Sequence, residues 1–469
     1  MNVKVKIGVE VHAQLKTRTK LFCSCSTKYG AIPNSQVCPV CLGMPGTLPV
    51  LNKQAVKLAI KAALALNCRI NEFSLFARKN YFYPDLPKGY QITQYQHPLA
   101  ANGWVDIDGH RIRIRRVHLE EDAGKIIHMG DRILIDYNRC GIPLIEIVTE
   151  PDLTSGEQAY KYLVYLRQLL RYIDVCGGDM EKGEIRCEPN ISVEVDGIKG
   201  ERVEIKNLNS IRAVEKAINY EIERQITILR AGKKIEMTTL LWNETTGKTE
   251  PMRVKEEEAD YRYFPEPDLP PLIVKPEEID VIRAELPELP QKKLERFVKT
   301  YKLSDRDARI LAFNLPLSEY YEKLVNLGVS PHRASSFIIS EVLALLKREK
   351  KSIEELNVSP EALAELLKLV EAGDLTLNIA KTVFVKMEEH NLSAREVLER
   401  EGIVQIRETD KLKEIVMEVM RENPKEVDRY RAGEKKLLTF FMGQVMRKTR
   451  GQANPHIARQ LLVEMLESG

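Results

Sequence analysis

This sequence of 469 residues lacks the features that would place it in a membrane or outside the cell. It contains no run of about eighteen or more apolar residues, the length that a membrane-spanning helix requires. Its first residues alternate between polar and apolar types, as in a strand, and have no apolar core of a signal peptide. These absences predict a cytoplasmic protein without a membrane partner.

The common nucleotide-binding and zinc-protease signatures are also missing. There is no G-x-x-x-x-G-K-[ST] loop, no G-x-G-x-x-G after a predicted strand and no H-E-x-x-H. The net charge is only +3, so nucleic-acid binding cannot be inferred from the total. If the protein uses ATP, phosphoryl transfer has to depend on Mg²⁺ held by carboxylates and on basic side chains.

Cysteine, by contrast, is concentrated in one short segment. Of the eight cysteines, four form two close pairs: Cys23, Cys25, Cys38 and Cys41. Two close pairs joined by a short loop are typical of a four-thiolate Zn²⁺ site, which has no open position and therefore stabilises a loop without catalysing. The alternative is four reduced, unrelated cysteines. The other cysteines are scattered, which, without a secretion signal, predicts a reducing cytosol.

The two halves of the chain differ in composition. All eight cysteines and both tryptophans precede residue 243, in a part that mixes strand-like alternation with helical periodicity. Residues 251–290 hold eight of the 23 prolines and should not be helical throughout. We therefore predict an α+β first domain at residues 1–292 with the zinc loop at 23–41, a helical domain at 293–405, and a small helical tail at 406–469.

Acidic side chains recur in segments with the pattern of strands. Glu10 and His12 are two residues apart, so both side chains would point to one face of a strand. Glu146 stands in an otherwise apolar run, where it would lack water unless it were paired or bound to a metal. Several acids on adjacent strands could hold Mg²⁺; the candidates are Glu10, His12, Glu121, Glu146, Glu188 and Glu204. The alternative is that each acid is a solvated strand residue.

Two further segments carry positive charge. The segment 77–91 interleaves cations with aromatic rings, which suits a polar channel or a surface that meets phosphates and bases; its candidates are Lys79, Tyr81, Lys88 and Tyr90. Residues 425–460 carry nine Lys or Arg against three acids and could neutralise RNA phosphates. The alternatives are an ordinary aromatic loop and a solvated helical face.

Long motifs with a fixed order run through the whole chain. They are GVEVHAQLKT from Gly8, RKNYFYPD from Arg78, HLEEDAGK from His118, GIPLIEIVTEPD from Gly141, EIKNLNS from Glu204, DYRYFPEPD from Asp260 and GQANP from Gly451. With these motifs the chain resembles the B subunit of the bacterial-type glutamyl-tRNA(Gln)/aspartyl-tRNA(Asn) amidotransferase.

The resemblance implies a first domain with a cradle-like antiparallel sheet flanked by helices, then a helical domain and a small tail of the YqeY type that contacts tRNA. It implies that ATP phosphorylates the side-chain carboxylate of misacylated Glu-tRNA(Gln) or Asp-tRNA(Asn). Ammonia from a partner amidase (glutaminase) would then displace the phosphate. The expected assembly is a heterotrimer of this chain, the amidase and a small third protein.

The resemblance also assigns roles to single residues. Glu10, His12, Glu121 and Glu204 would be catalytic and surround Mg²⁺, with Glu146 and Glu188 as further ligands. Family members often read Cys-Asp-Ala-Asn where this chain has Cys187-Glu188-Pro189-Asn190. Some members lack the zinc cysteines, which implies that the zinc has a structural role and is not needed for the chemistry.

Two alternatives compete with this interpretation. One is the archaeal-type E subunit, whose inserted domain is too large for the helical region here to hold. The other is a non-catalytic tRNA-binding scaffold. The acids near Glu10 argue against a scaffold.

Overall fold

The first strand of the chain, β1 (Val3–Gln14), lies inside the main sheet. Its buried apolar residues (Ile7, Val9, Val11 and Ala13) alternate with more polar ones, which is the pattern of a strand with one face on the core. The computed structural model describes residues 2–254, 261–401, 409–449, 453 and 455–467. The chain divides into two units, residues 1–289 and 290–469.

The first unit combines many strands with four α-helices in its described part. After β1 come α1 (Lys53–Ala65), β2 (Arg69–Ile70), β3 (Phe73–Ser74), β4 (Ala77–Asn80), β5 (Tyr90–Thr93), β6 (Ala100–Ile107), β7 (His110–Glu121), β8 (Lys125–Met129), β9 (Arg132–Asp136), β10 (Pro143–Thr149), α2 (Gly156–Tyr172), β11 (Ile185–Val195), β12 (Ile198–Lys199), β13 (Val203–Lys206), α3 (Ile211–Arg230), β14 (Thr238–Asn243), β15 (Lys248–Val254), β16 (Phe264–Pro265), β17 (Leu272–Ile273) and α4 (Pro276–Ala284).

Ten of the described strands form the main sheet. Their order is β15-β14-β13-β11-β1-β10-β7-β6-β2, with β12 paired to β11 at one side. The pairs are antiparallel except for β13 with β14, which run parallel. The predicted α+β fold with a large sheet and helices is confirmed, and the single parallel pair makes the sheet mixed.

Helices α2 and α3 pack against each other, and α3 packs against β11. Each helix begins after a serine whose hydroxyl accepts a backbone N–H three residues on, Ser155 from Gln158 at 3.2 Å and Ser210 from Ala213 at 3.0 Å. The buried side chains of these helices and the apolar residues of the sheet form the core. On the central strands, the opposite face carries polar side chains that include Glu10, His12 and Glu188.

The described part of the second unit is helical, as predicted. Its helices are α5 (Pro290–Tyr301), α6 (Asp305–Ala312), α7 (Leu315–Asn326), α8 (Pro331–Phe337), α9 (Leu343–Glu349), α10 (Pro360–Glu371), α11 (Leu377–His390), α12 (Ala394–Arg400), α13 (Thr409–Glu422), α14 (Pro424–Arg431), α15 (Leu438–Lys448) and α16 (Pro455–Glu467).

Buried apolar residues of the second unit form two separate cores. One draws on residues between Leu294 and Val397, and the other on residues between Leu412 and Leu466. The predicted boundary near residue 405 lies in 402–408, outside the described residues. The separate cores support our proposal of a helical domain at 293–405 and a tail at 406–469. In the described part of the chain, no helix is long and apolar enough to cross a bilayer.

Candidate functional site: two acidic clusters on one face of the sheet

The register of the central strands brings polar residues to one face of the sheet. His12 on β1 lies opposite Glu146 on β10, and Glu146 lies opposite His118 on β7. Directly paired residues of neighbouring strands project to the same side. On the other flank of β1, Glu10 pairs with Glu188 of β11. The strands therefore gather acids that are far apart in the sequence.

The first cluster consists of His12, Glu120 and Glu146. The His12 Nε2 lies 3.3 Å from a Glu120 oxygen and 3.5 Å from a Glu146 oxygen. His118 adds a second imidazole, with its Nε2 3.3 Å from the Glu146 carboxylate and 3.9 Å from that of Glu120. One ligand atom from each of His12, Glu120 and Glu146 lies within 4.8 Å of the others, which fits a bound metal ion.

The charges in this cluster depend strongly on one another. Burial by itself would lower the pKa of His12, but the Glu120 and Glu146 carboxylates raise it to about 9. Burial would raise the pKa of Glu146, whereas the His118 and His12 imidazoles hold it well below its usual range. The negative charge of the carboxylates in this cluster therefore needs a nearby positive charge. Protonated imidazoles or a bound cation can supply it.

The second cluster consists of Glu10, Glu188 and Glu204, whose ligand atoms also lie within 4.8 Å of one another. Asn190 donates its amide to Glu10 at 3.0 Å, and the Thr239 hydroxyl donates to Glu204 at 2.9 Å. Such donors hold carboxylates in a fixed orientation, as outer partners of metal ligands do.

A lysine neutralises part of the second cluster. The Lys206 ammonium lies 2.9 Å from the Glu188 carboxylate. Burial would raise the pKa of Glu188, but Lys206 and His12 lower it overall. Glu188 therefore offers an ionised carboxylate, and carboxylate oxygens are the ligands that Mg²⁺ prefers.

The structure does not place Glu121 in either cluster, contrary to the sequence-based prediction. Its carboxylate accepts a hydrogen bond from the Lys88 ammonium and one from the Ile92 backbone N–H at 2.9 Å. Successive residues of a strand point to opposite faces, so Glu120 joins His12 and Glu146 while Glu121 points away. The two-residue spacing of His118 and Glu120 puts these two side chains on one face of β7, but only the pairing of β7 with β10 shows that this is the face of Glu146 and His12.

The structure separates the predicted channel residues into two groups. The Lys79 ammonium lies 4.8 Å from the centre of the Tyr261 ring and 5.8 Å from that of Tyr81. Burial would lower the pKa of Lys79, but Tyr263 and the carboxylates of Glu120 and Glu146 raise it. Lys79 is therefore held as a cation whose charge is attracted by the carboxylates of the first cluster.

Lys88 and Tyr90 belong to the second group. The Lys88 ammonium lies 5.3 Å from the centre of the Tyr90 ring and pairs with Glu121. Lys88, Tyr90 and Glu121 line an open pocket beside the cysteine loop, together with Cys41 and Gly141. Tyr263 and Lys206 lie near the acidic clusters but were not predicted as site residues from the sequence. Neither residue stands at a distinctive spacing from another candidate.

The four predicted zinc ligands come together. The Sγ atoms of Cys23, Cys25, Cys38 and Cys41 lie within 4.8 Å of one another, and all four thiols are free. The Cys38 backbone N–H donates to Cys41 Sγ at 3.2 Å. Four sulfurs at this spacing fit a tetrahedral Zn²⁺, and unrelated cysteines would not be expected to converge.

Part of the positive charge in the tail is neutralised within it. Lys448 pairs with Glu418 and Glu422 at 2.6 and 2.7 Å, and Lys435 pairs with Glu467 at 2.9 Å. The basic segment that follows Lys448 in the sequence includes residues 450–452 and 454, which lie outside the described residues. The excess charge available to a ligand is therefore smaller than the sequence count predicts.

Known families match this chain over nearly its full length. The family model of the GatB/GatE catalytic domain matches residues 5–280, and that of the GatB domain matches residues 319–466. The chain is 50% identical to the B subunit of aspartyl/glutamyl-tRNA(Asn/Gln) amidotransferase from Thermodesulfovibrio yellowstonii and 51% identical to that from Persephonella marina. Identity to the protein of the same name in Thermotoga neapolitana is 47%, and each comparison covers the whole of both chains.

The sheet and its acidic clusters thus lie in a catalytic domain of the GatB/GatE type. The helical second unit matches a GatB domain, which favours the B type over the E type. The chain belongs to the family formed by the B subunit of aspartyl/glutamyl-tRNA(Asn/Gln) amidotransferase, and it is one component of a tRNA-dependent amidotransferase.

Proposed function

We propose that this chain uses ATP to activate the side-chain carboxylate of Glu-tRNA(Gln), Asp-tRNA(Asn) or both, and then amidates it. The supporting observation is the pair of acidic clusters on one face of the sheet, together with the buried Lys79 ammonium, which the carboxylates of the first cluster attract. Carboxylate clusters and a buried cation are what phosphoryl transfer needs when no phosphate-binding loop is present.

The chemistry follows from the poor reactivity of a carboxylate. Ammonia cannot displace an oxide ion, so the substrate oxygen first attacks the γ-phosphorus of ATP, forming an acyl phosphate and releasing ADP. Ammonia then attacks the acyl carbon, and inorganic phosphate leaves, which gives Gln-tRNA(Gln) or Asn-tRNA(Asn). Both steps move negative charge onto phosphate oxygens, which favours sites with fixed positive charge.

Mg²⁺ would be held by His12, Glu120 and Glu146 and by Glu10, Glu188 and Glu204, and it would neutralise the charge of the transferring phosphoryl group. Lys79 would add a fixed positive charge on the side of the first cluster. Lys206 holds Glu188 in place, and Asn190 and Thr239 orient Glu10 and Glu204. His118 would keep the Glu146 carboxylate ionised.

The assembly proposed for this reaction is a heterotrimer in the cytoplasm. The partner amidase would release ammonia from glutamine, and a small protein would be the third member. The helical tail would bind tRNA(Gln) or tRNA(Asn). A structural Zn²⁺ on Cys23, Cys25, Cys38 and Cys41 would hold the loop at 23–41 without taking part in the reaction.

The test is ATP cleavage by the assembled complex with ammonium chloride as nitrogen source, so that glutamine hydrolysis is not required. We expect ADP formation only when both Mg²⁺ and misacylated tRNA are present, and none with deacylated tRNA. A non-catalytic scaffold would support tRNA binding without any ADP formation dependent on the aminoacyl group. That result would favour the scaffold alternative.

A further inference from the structure

Lys20 is a fully buried lysine beside the four-cysteine cluster. The residue is 0% exposed. Its Nζ lies 3.6 Å from Cys41 Sγ and 3.4 Å from the carbonyl oxygen of Tyr137. Among the described residues it forms no ion pair with a carboxylate. A buried ammonium needs a compensating negative charge to be tolerated in the folded state. The nearby Glu121 carboxylate is already paired with Lys88, so the sulfur of Cys41 is the group with negative charge that Lys20 contacts directly.

The cysteine cluster is the source of negative charge that Lys20 contacts. Four thiolates around one Zn²⁺ leave two negative charges unbalanced. We propose that Lys20 is the counter-charge of this centre and that it positions Cys41 by donating to its sulfur. The proposal rests on the zinc site proposed above and adds a residue outside the ligand set.

Cys41 is the ligand that most needs such support, because it is the most buried of the four. It is 4% exposed, and its Sγ also accepts the Cys38 backbone N–H at 3.2 Å. Two donors on one thiolate reduce its charge density and fix its direction, which is how outer partners tune metal ligands.

The backbone around Lys20 holds its side chain in this position. The Lys20 N–H donates to the Cys25 carbonyl oxygen at 2.9 Å, and the Leu21 N–H donates to that of Gly141 at 2.9 Å. A Cβ at Gly141 would lie 3.5 Å from both Lys20 Cδ and Cys41 Cβ. Such distances are ordinary van der Waals contacts, so Gly141 packs directly beside the lysine stem and the cysteine, and its φ of 84° is what favours glycine there.

The experiment compares Lys20→Met with wild-type chain in the assembled complex. Zinc affinity is measured by competition with a chromophoric chelator, and the sulfur-to-metal charge-transfer band is recorded after Co²⁺ replaces Zn²⁺. We expect Lys20→Met to weaken zinc binding about 10- to 100-fold, the usual effect of losing an outer partner of a metal ligand. The charge-transfer band should move to lower energy, because the sulfur electrons lose a stabilising positive charge.

Two further variants separate charge from packing. Lys20→Arg keeps the charge and should stay close to wild type in the position of the band. Lys16→Met is the matched control, since the Lys16 side chain is 51% exposed and pairs with Asp174; it should change neither affinity nor spectrum. If Lys20→Met does not fold, Lys20→Gln removes the charge while keeping a polar group and is judged by the same two readouts.

The outcomes distinguish this inference from the zinc site itself. Zinc affinity and a cobalt spectrum that are unchanged in Lys20→Met or Lys20→Gln would overturn the role of Lys20 and leave the zinc site standing. A wild-type chain that binds neither Zn²⁺ nor Co²⁺ would overturn the zinc site, whatever the variants show. Weaker binding with a shifted band, restored by Lys20→Arg, supports the proposal.

Discussion

Glu120 and Glu121 are neighbours on β7, yet their carboxylates lie on opposite sides of the sheet. The Glu120 carboxylate lies 3.3 Å from His12 Nε2, whereas that of Glu121 pairs with the Lys88 ammonium. The polar face therefore contains Glu120 with His12 and Glu146. Substituting the two glutamates should affect different properties of the protein, because only one of them can share a metal ion with His12.

Lys79 provides a test of fixed positive charge near the first cluster. Lys79→Met should lower the rate of tRNA-dependent ATP cleavage about 10²-fold, since a fixed charge directed at a phosphoryl group typically contributes that much. Lys79→Arg should recover part of the loss. Lys6→Met is the matched control, because Lys6 lies on β1 but is exposed. Equal rates in Lys79→Met and Lys6→Met would show that Lys79 has no role in the chemistry.

Substitutions of Glu188 test whether the second cluster binds Mg²⁺ and whether the glutamate at this position can be replaced by the aspartate of the family motif. Glu188→Asp introduces the residue that the family resemblance implies at this position; it keeps the carboxylate and should keep ATP cleavage within about tenfold of wild type. Glu188→Gln removes the charge and should raise the Mg²⁺ concentration needed for half-maximal rate by about 10- to 100-fold. Glu194→Gln is the control, since Glu194 lies on the same strand and pairs with Lys4 at 3.0 Å. Identical Mg²⁺ dependence in Glu188→Gln and wild type would remove Glu188 from the metal site.

The cysteine cluster predicts one Zn²⁺ per chain. Cys38→Ser should lose the metal and lower the thermal midpoint, because loss of one thiolate opens a closed structural site. Cys68→Ser should keep one Zn²⁺ per chain, since Cys68 lies outside the cluster. Elemental analysis with thermal unfolding measures both effects. A wild-type chain without zinc, or a Cys38→Ser chain that retains it, would contradict the assignment.

The helical tail should contribute to tRNA affinity. A chain that ends at residue 401 retains the complete core formed between Leu294 and Val397, so the rest of the protein should remain folded. Removing the cations of the tail should weaken tRNA binding and make its salt dependence shallower, because fewer counterions are released. ATP cleavage at saturating tRNA should persist. A tRNA titration at several salt concentrations measures this, and an unchanged affinity and slope would rule the tail out as a binding surface.

Local spacing in the sequence was enough to place some of the site. Glu10 and His12 share a face of β1 because they are two residues apart, and the four cysteines converge as their spacing indicated. The choice between Glu120 and Glu121 needed the register of β7 against β10, a pairing of residues far apart in the chain. Composition alone carries no information on that register.

The hairpin of β4 and β5 shows the same limit. Lys79 pairs with Gln91 and Asn80 pairs with Tyr90, so Lys79 and Tyr90 project from opposite faces of the hairpin. The alternation of cations and rings in the sequence suggested one common surface, and the structure divides it between the acidic cluster and the pocket beside the cysteine loop. Fold class and family, in contrast, followed from long motifs that do not depend on register.

The most direct test of the proposed chemistry compares Glu120→Gln with Glu121→Gln in the assembled complex. The measurement is ADP formation that depends on misacylated tRNA, with ammonium chloride as nitrogen source and rates normalised to folded protein. We predict that Glu120→Gln lowers the rate by about 10²-fold or more, because a metal ligand is lost, while Glu121→Gln stays within about tenfold of wild type. A near-normal rate in Glu120→Gln together with loss of activity in Glu121→Gln would contradict the assignment of the metal site to His12, Glu120 and Glu146.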